Sequence, residues 1–367
     1  MKNNKRFMIY LMSIVALLLV LTACSGDKTS GSSSAGSSNN KVFELDVNNP
    51  LPSTHHLAGN AFEPWKKLVE EKTEGRVIVN LYHGGTLGQT GTALEDVSGG
   101  ISDVSYLTPS YYYDSRVFPW TIGSLPFSVP TKDPAVTVSK VLSEFAPKYW
   151  RPEEIFQDIV YMGIQSTDPY VMLSTKPIKK AEDLKNLKIR VPGKGWEKLI
   201  VSWGGTPVSV TNEEMYEALE RGTIDVGIYT AVGSVGNKYY EVAPYIVKNV
   251  QLYLTPMVSI MNRDFYDSLP DDLKKIFDEE LNPALAELIT QSYVKESDQA
   301  WENLAAGVEG KGEIIELPEK EVQKLRAGAK DQWDVWVKDA NKFGYPGEKM
   351  LDEYKYMLEE NGVELPF

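Results

Sequence analysis

The sequence is poor in the side chains that metal binding and catalysis use most often. Its 367 residues include one cysteine, Cys24, and three histidines, His55, His56 and His83. A single cysteine excludes an internal disulfide and a cysteine-based metal site. The motifs of serine hydrolases, P-loop nucleotidases, dinucleotide-binding enzymes and zinc proteases are also missing. These absences argue against the common enzyme classes, and we predict no cofactor and no metal.

Positive charge is scarcer than negative charge, and the formal net charge is −13 at pH 7. Removal of Lys2, Lys5 and Arg6 with an N-terminal leader would take it to −16, because these are three cations. The resulting negative field repels nucleic acid and anionic membrane surfaces. We therefore expect no nucleic-acid partner, and an anionic ligand would need a positive group close to it.

The N-terminus has the pattern of an export signal. Basic residues precede an apolar run at 7–21, which is shorter than the roughly 20 residues of a typical membrane span and ends at small residues. The adjoining Leu21-Thr22-Ala23-Cys24 resembles a bacterial lipobox. We predict a signal peptide at 1–23, a lipid-modified Cys24 and a flexible Ser/Gly-rich tether at 24–41.

Strand-like and helix-like runs alternate along the following two hundred residues or so, a pattern typical of βαβ units and a largely parallel sheet. Strands are predicted at 43–47, 77–81, 104–107, 160–164, 171–173, 188–191 and 225–229, and helices at 62–71 and 87–97 among others. Thr211 and Glu214 have the spacing of a capping box for a helix that Gly222 ends. Long helices are predicted at 271–305, interrupted at Pro283, and at 319–342.

Five segments stand out as turn and strand-end landmarks: Gly84–Gly88, Gly100–Asp103, Leu125–Phe127, Asp183–Gly227 and Phe265–Pro270. In this order they resemble the substrate-binding subunits of tripartite ATP-independent periplasmic (TRAP) transporters, the DctP family. The resemblance implies an α/β, two-lobed periplasmic-binding-protein-like fold with a ligand cleft between two α/β domains and long C-terminal helices. Domain I would comprise 42–166 and 255–296, and domain II 167–254 and 297–367.

Arg190 is the main candidate for ligand binding, because it lies near the end of a predicted strand and arginine is the usual partner of a carboxylate. On position alone, a surface salt bridge is the more common role. The resemblance implies that Arg190 is the family's carboxylate-binding arginine, and that Tyr229 and Asn212 occupy further contact positions. The remaining candidates lie at strand ends or in loops: Thr108, Ser110, Tyr111, Tyr112, Tyr170, His55 and Trp196.

Each of these candidates has an ordinary structural alternative. Domain packing explains at least one residue of the Tyr111–Tyr113 run, and a tryptophan such as Trp196 is more often a core residue. For His55 and His56 we expect a solvated pair at the start of a helix, with rings that point apart, rather than a metal site. No arginine occurs at 152–189, and Gly193 replaces an amide side chain of sialic acid binders, so sialic acid is not the expected ligand.

The resemblance implies an extracytoplasmic receptor that binds a small organic acid and delivers it to a TRAP membrane permease without making or breaking a bond. It would be lipid-anchored on the outer face of the cell membrane, at a Gram-positive surface or in a periplasm. Two alternatives remain at this point. One is a secreted lipoprotein enzyme acting on an acidic metabolite, and the other is the binding component of an ATP-driven importer.

Overall fold

The computed structural model describes residues 41–130, 132–363 and 365. The predicted signal peptide, the predicted lipidation site Cys24 and the predicted tether up to residue 40 lie outside these residues. Within the described ranges we find no helix that is both long and apolar enough to cross a bilayer. Residues 42–367 group into one compact unit.

Eleven strands occur in the described residues. In chain order they are β1 Phe43–Asn49, β2 Val77–His83, β3 Val104–Leu107, β4 Ile159–Ser166, β5 Tyr170–Ser174, β6 Lys188–Val191, β7 Thr206–Ser209, β8 Val226–Thr230, β9 Tyr245–Val247, β10 Pro256–Asn262 and β11 Glu313–Ile315. Each predicted strand is present, and those at 104–107 and 188–191 have the predicted bounds. Most of the others extend further, because pairing with neighbours continues beyond the apolar run.

The described α-helices are more numerous and mostly short before residue 282. They are α1 Glu63–Lys72, α2 Ala93–Ser98, α3 Pro134–Phe145, α4 Pro152–Ile155, α5 Glu197–Ser202, α6 Met215–Glu220, α7 Ala231–Gly236, α8 Arg263–Ser268, α9 Asp271–Ile276, α10 Asn282–Val308, α11 Glu319–Arg326, α12 Ala329–Lys342 and α13 Gly347–Glu360. Helix α6 follows the predicted capping pair, since the backbone N–H and hydroxyl of Thr211 both donate to Glu214 Oε2. Gly222 follows it with a φ of 68°.

The strands form two sheets. The first has the order β2-β1-β3-β10-β4, and the second has the order β11-β9-β5-β8-β6-β7. The strands of each sheet run largely parallel, as predicted, with one exception in each: β10 runs antiparallel to both of its neighbours, and β5 runs antiparallel to β8 and β9. These two strands follow the places where the chain passes between the sheets, and each enters its sheet against the direction of the βαβ strands.

Each sheet is covered by helices on a hydrophobic core, which is why the strands are rich in buried apolar residues. The 27-residue helix α10 contributes to both sides. Its Leu285, Ile289 and Tyr293 pack in a cluster with β1 and β3, whereas Leu304 and Val308 pack in the cluster of the second sheet. The mixed α/β fold with two sheets and long C-terminal helices confirms the predicted fold class.

The C-terminal helices differ in detail from the prediction. As predicted, the helical stretch that begins at Asp271 is interrupted near Pro283, where a π-helical turn at Phe277–Leu281 precedes α10. The predicted helix at 319–342 is broken between α11 and α12. Gly328 lies at the break, where a β-carbon would be 2.1 Å from Ser202 Oγ, so close packing requires a glycine there.

The predicted domain boundaries stay a prediction. The contacts of the last two helices bear on them, because Trp333, Trp336 and Tyr354 belong to the cluster that contains Phe118 and Phe145. These aromatic residues cover the first sheet, although the resemblance implied that residues 297–367 belong with the second.

Candidate functional site

The guanidinium of Arg190 lies between the two sheets and is held from one side by backbone. Arg190 is in β6, where Ile189 and Val191 face the core of the second sheet and turn the arginine to the opposite face. Its Nε donates to the Val210 carbonyl at 2.9 Å, and its Nη1 donates to the Ile228 carbonyl at 3.0 Å. These two bonds fix the plane of the guanidinium.

Two neutral side chains contact the remaining nitrogen. Arg190 Nη2 donates to Tyr111 Oη at 2.6 Å and to Asn212 Oδ1 at 2.8 Å, and the Tyr111 hydroxyl donates to the same amide oxygen at 3.1 Å. Tyr239 in turn donates to the Asn212 carbonyl at 2.5 Å, which holds Asn212 in place. The structure therefore brings together three of the predicted site residues.

Arg190 is 1% exposed, which excludes the surface salt bridge that is the common role of an arginine. Among the described residues, Arg76, Arg116, Arg151 and Arg221 each form an ion pair with a carboxylate, whereas all four hydrogen-bond partners of Arg190 are neutral. A buried charge without a counter-ion costs several kcal/mol. The site is therefore suited to an anion.

Aromatic rings surround the guanidinium. The ring of Tyr170 stacks on that of Tyr253 with 4.4 Å between centroids, and the tilted ring of Trp196 lies 3.9 Å from Tyr253, centroid to centroid. Tyr229 contacts Tyr170 edge-on at 5.5 Å and Tyr239 at 5.2 Å. Burial raises the pKa of each of these tyrosines, so their hydroxyls stay neutral. This aromatic cluster combines flat apolar faces with hydrogen-bonding hydroxyls.

Direct contacts join the two sheets around this cluster. Besides the bond from Tyr111 to Asn212, the backbone N–H and the hydroxyl of Thr90 both donate to Glu213 Oε1, at 2.9 and 2.5 Å. Thr54 Oγ1 donates to the Gly236 carbonyl at 2.9 Å. A cavity of about 410 Å³ lies beside these contacts and is lined by Thr54, Asn212, Glu213 and other residues.

His55 and His56 are not the solvated pair that the sequence suggested. Their rings lie 4.3 Å apart and are tilted by 35°, and His56 also contacts the Tyr293 ring at 4.5 Å and Ser292 Oγ at 2.6 Å. Burial lowers the pKa of His55 to about 3 and lowers that of His56 well below 6.5. The prediction was wrong because α7 covers this loop, where a β-carbon at Gly236 would lie 2.7 Å from His55 Cα.

The remaining candidates are placed less directly. The Tyr112 hydroxyl accepts from the Leu94 N–H at 3.0 Å and donates to the Thr90 carbonyl, so the structure does not bring it to Arg190. Ser110 Oγ lies 3.2 Å from Ser124 Oγ. Thr108 is buried, and its carbonyl accepts from the Tyr111 N–H. These three residues support the turn that carries Tyr111.

Gly193 explains how close that turn comes to the second sheet. A β-carbon at this position would lie 2.4 Å from the Ser110 carbonyl oxygen, so any larger residue would separate the two segments. The amide side chain of sialic acid binders at this position would not fit the present packing. The expectation that sialic acid is not the ligand stays a prediction.

Sequence reasoning missed several residues of the cluster. Tyr106, Tyr239, Tyr253, Glu213 and Asp168 have no motif around them. Asp168 lies just beyond β4 and Tyr106 near the end of β3, where α/β folds place ligand contacts, whereas Tyr239 and Tyr253 lie in connections between elements and carry no such signal. Within the described ranges, no three His, Cys, Asp or Glu side chains are arranged to hold a metal ion.

Comparison with known proteins adds family information. The family model "Bacterial extracellular solute-binding protein, family 7" (DctP) matches residues 49–339. A solute-binding protein of Sulfitobacter sp. strain NAS-14.1 is 27% identical over 230 residues. That alignment spans 60% of this chain and 66% of the relative, so the chain covers slightly less than two thirds of this curated protein.

Solved structures show a similar fold. A TRAP solute-binding protein from Rhodoferax ferrireducens T118, in complex with copurified benzoate, has a TM-score of 0.76 at 23% identity. The superposition spans 87% of this chain and 98% of the chain in that structure. A second, from Bordetella bronchiseptica with bound (R)- and (S)-mandelate, has a TM-score of 0.75 at 24% identity, with coverage of 87% and 99%. At these identities the likeness concerns the fold alone.

Proposed function

The chain belongs to the bacterial extracellular solute-binding protein family 7 (DctP), and on that premise we propose that it is an extracytoplasmic receptor for a small organic acid. It binds the acid between its two sheets and passes it, unchanged, to the membrane permease of a TRAP transporter. The carboxylate ligands of related proteins, such as benzoate and mandelate, support this proposal.

One observation carries the proposal: Arg190 is buried, held by two backbone carbonyls, and has no carboxylate partner among the described residues. A guanidinium has five N–H groups, and four of them are used here. A ligand carboxylate takes the remaining Nη1 N–H and replaces the Tyr111 hydroxyl and the Asn212 amide oxygen at Nη2. Both displaced side chains also have a donor group, so they can turn to donate to the bound carboxylate.

The other candidate residues surround the body of the ligand in this proposal. Tyr170, Tyr229 and Trp196 provide ring faces, and His55 lies at the contact between the first sheet and α7. Closing the two lobes excludes water, and the lower local dielectric strengthens the ion pair with Arg190. No side chain of the cluster is required to act as a nucleophile or a base, so the receptor binds without catalysis.

We further propose that a lipid on Cys24 holds the receptor at the outer face of the cell membrane. Attachment confines the protein near its permease. The signal-like N-terminal pattern supports this assignment, and Cys24 lies outside the described residues.

The test begins with a thermal-shift panel of organic acids, each paired with its primary amide. The acid that stabilises the protein most is then titrated by calorimetry into wild type, Arg190→Ala and Arg190→Lys. Removing one partner of a buried charged pair costs about 2 to 5 kcal/mol, so Arg190→Ala should weaken binding about 30-fold to about 5,000-fold. Arg190→Lys should recover part of the loss, since ammonium keeps the charge but not the planar fork.

Arg263→Ala is the matched control. Arg263 is partly buried and, like Arg190, donates to two backbone carbonyls, those of Phe156 and Ile159 at the start of β4. Its removal should affect stability but leave affinity within about twofold. The proposal fails if no acid in the panel binds, or if a folded Arg190→Ala protein binds the acid as tightly as wild type does.

A further inference from the structure

A cavity of about 270 Å³ is lined by three aspartates, Asp133, Asp168 and Asp298. Its walls come from the start of α3, the connection between β4 and β5 and the middle of α10. None of the hydrogen-bond partners of Arg190 is among the described residues that line it. The cavity is therefore distinct from the group of residues that holds the guanidinium.

Asp168 has a fixed place in this cavity. The N–H groups of Thr167 and Tyr170, on either side of it, both donate to carbonyls in the segment just before β10, which holds the backbone. Asp168 Oδ2 accepts from the Val232 N–H at the start of α7, at 3.2 Å. The direction of the side chain is therefore set by contacts on three sides.

The other oxygen of Asp168 has no comparable contact. Oδ1 is buried without a hydrogen-bond partner among the described residues, and the residue is 7% exposed. An amide would serve as well to accept from the Val232 N–H, so that contact does not require a carboxyl group. Burying a carboxylate oxygen without a partner costs free energy. A donor bound in the cavity would offset that cost.

The acids of the cavity are not balanced by a cation. No lysine, arginine or histidine is among the described residues that line it. The side chains of Asp133 and Asp298 are exposed and form no hydrogen bond or ion pair within the described ranges. Burial raises the pKa of Asp168 to about 7, and a cation bound beside it would favour the ionised form.

The walls favour an organic cation over a metal ion. In the part of the chain that the structure describes, no three acidic, histidine or cysteine side chains are arranged to hold a metal. The volume is several times the roughly 30 Å³ that one water molecule takes. Pro134, Pro169 and Val294 add apolar surface, which suits methylene groups. An ammonium has three N–H donors and a guanidinium five, so either can reach more than one carboxyl group.

We propose that this cavity binds a small organic cation, an ammonium or guanidinium group on a short alkyl chain. The cationic group donates to Asp168 Oδ1 and to the exposed carboxylates of Asp133 and Asp298, and the alkyl chain lies against the apolar wall. This is a second binding site, for a ligand whose charge is opposite to that of the acid at Arg190. Its occupation does not require the acid.

Calorimetry on the wild-type protein without any organic acid tests the site. The probes are butylammonium, butylguanidinium, tetramethylammonium and calcium, all as chlorides at constant ionic strength. Tetramethylammonium carries the same charge but has no N–H group, so the better of the first two should bind about tenfold or more tightly than it does. The inference is overturned if neither of the first two binds, or if tetramethylammonium or calcium binds as tightly.

Variants locate the bound cation. Asp168→Asn keeps an acceptor for the Val232 N–H but removes the charge, and it should weaken binding of the preferred cation about tenfold or more. Asp298→Asn and Asp133→Asn change exposed residues, so the fold should persist, and each should weaken binding about twofold to about fivefold. Asp352→Asn, an exposed aspartate on α13, is the matched control and should change nothing.

The exposed positions keep the test decisive if Asp168→Asn does not fold. Binding that is unchanged in both Asp133→Asn and Asp298→Asn would then show that the cation attaches elsewhere on the acidic surface, and the inference fails. It also fails if a folded Asp168→Asn protein binds the preferred cation as tightly as wild type does. A loss in all three variants with none in Asp352→Asn supports it.

Discussion

The contact between Thr90 and Glu213 offers a direct test of closure between the two sheets. Thr90 precedes α2 beside the first sheet, and Glu213 follows β7 of the second. The Thr90 hydroxyl and N–H both donate to Glu213 Oε1, and the other oxygen of Glu213 has no partner among the described residues. If the lobes separate without ligand, these bonds form only on closure, and their free energy contributes to affinity.

The size of the effect follows from the bond that is lost. Thr90→Val removes the hydroxyl bond of 2.5 Å and keeps the backbone donor. A hydrogen bond to a charged group contributes about 1.5 to 3 kcal/mol, which corresponds to about tenfold to about 150-fold weaker binding. The loss should appear mainly as faster dissociation, since the bond forms after the ligand has entered.

Thr92→Val is a matched control. Thr92 Oγ1 donates to Asp96 Oδ2 at 2.6 Å. This is also a threonine–carboxylate bond, but it is local to the start of α2 and does not join the two sheets. Dissociation constants by calorimetry and dissociation rates by stopped-flow fluorescence would be compared for both variants. If Thr90→Val changes the dissociation constant by less than about twofold, or no more than Thr92→Val does, the contact is equally formed without ligand and the reasoning is refuted.

Acid should destabilise the protein through His55 and His56. Burial lowers the pKa of His55 to about 3 from its usual 6.5 and also lowers that of His56. The contribution of the two neutral histidines to stability is therefore complete above about pH 6.5 and is lost as the pH falls. Burial raises the pKa of Asp168 to about 7 from 3.8, so this group makes the protein more stable as the pH falls between those two values. Melting temperatures of His55→Asn should therefore fall less than those of wild type between about pH 7 and pH 5, and equal slopes would contradict the assignment. Intact-mass analysis of membrane-extracted protein should show a chain that begins at an acylated Cys24; an unacylated or unprocessed N-terminus would rule out the lipid anchor.

The fold class was predictable because its signals are local. Turn glycines, strand-length apolar runs and helix caps are encoded within a few residues, and their order along the chain resembles one family. The strand at 188–191 could therefore be placed to the residue, and with it Arg190. The spacing of apolar neighbours also indicated that Arg190 faces away from the core of its sheet.

Strand direction was not predictable in the same way. Strands β5 and β10 resemble the other apolar strands in composition, yet they pair antiparallel with their neighbours in both sheets. Direction depends on how the chain enters the sheet after passing between the lobes. That path is a property of the whole fold and leaves no mark in the strand itself.

The sequence by itself determined the family, the α/β class and the position of one candidate anion-binding arginine at a strand end. Only the tertiary structure decided that Arg190 is buried among neutral partners, that Tyr239 and Tyr253 join its surroundings, and that His55 is covered by α7. The reason is physical: burial, pKa shifts and unpaired polar atoms arise from contacts between residues far apart in the chain. Periodicity reports which face of an element is apolar, but not which distant side chain meets it.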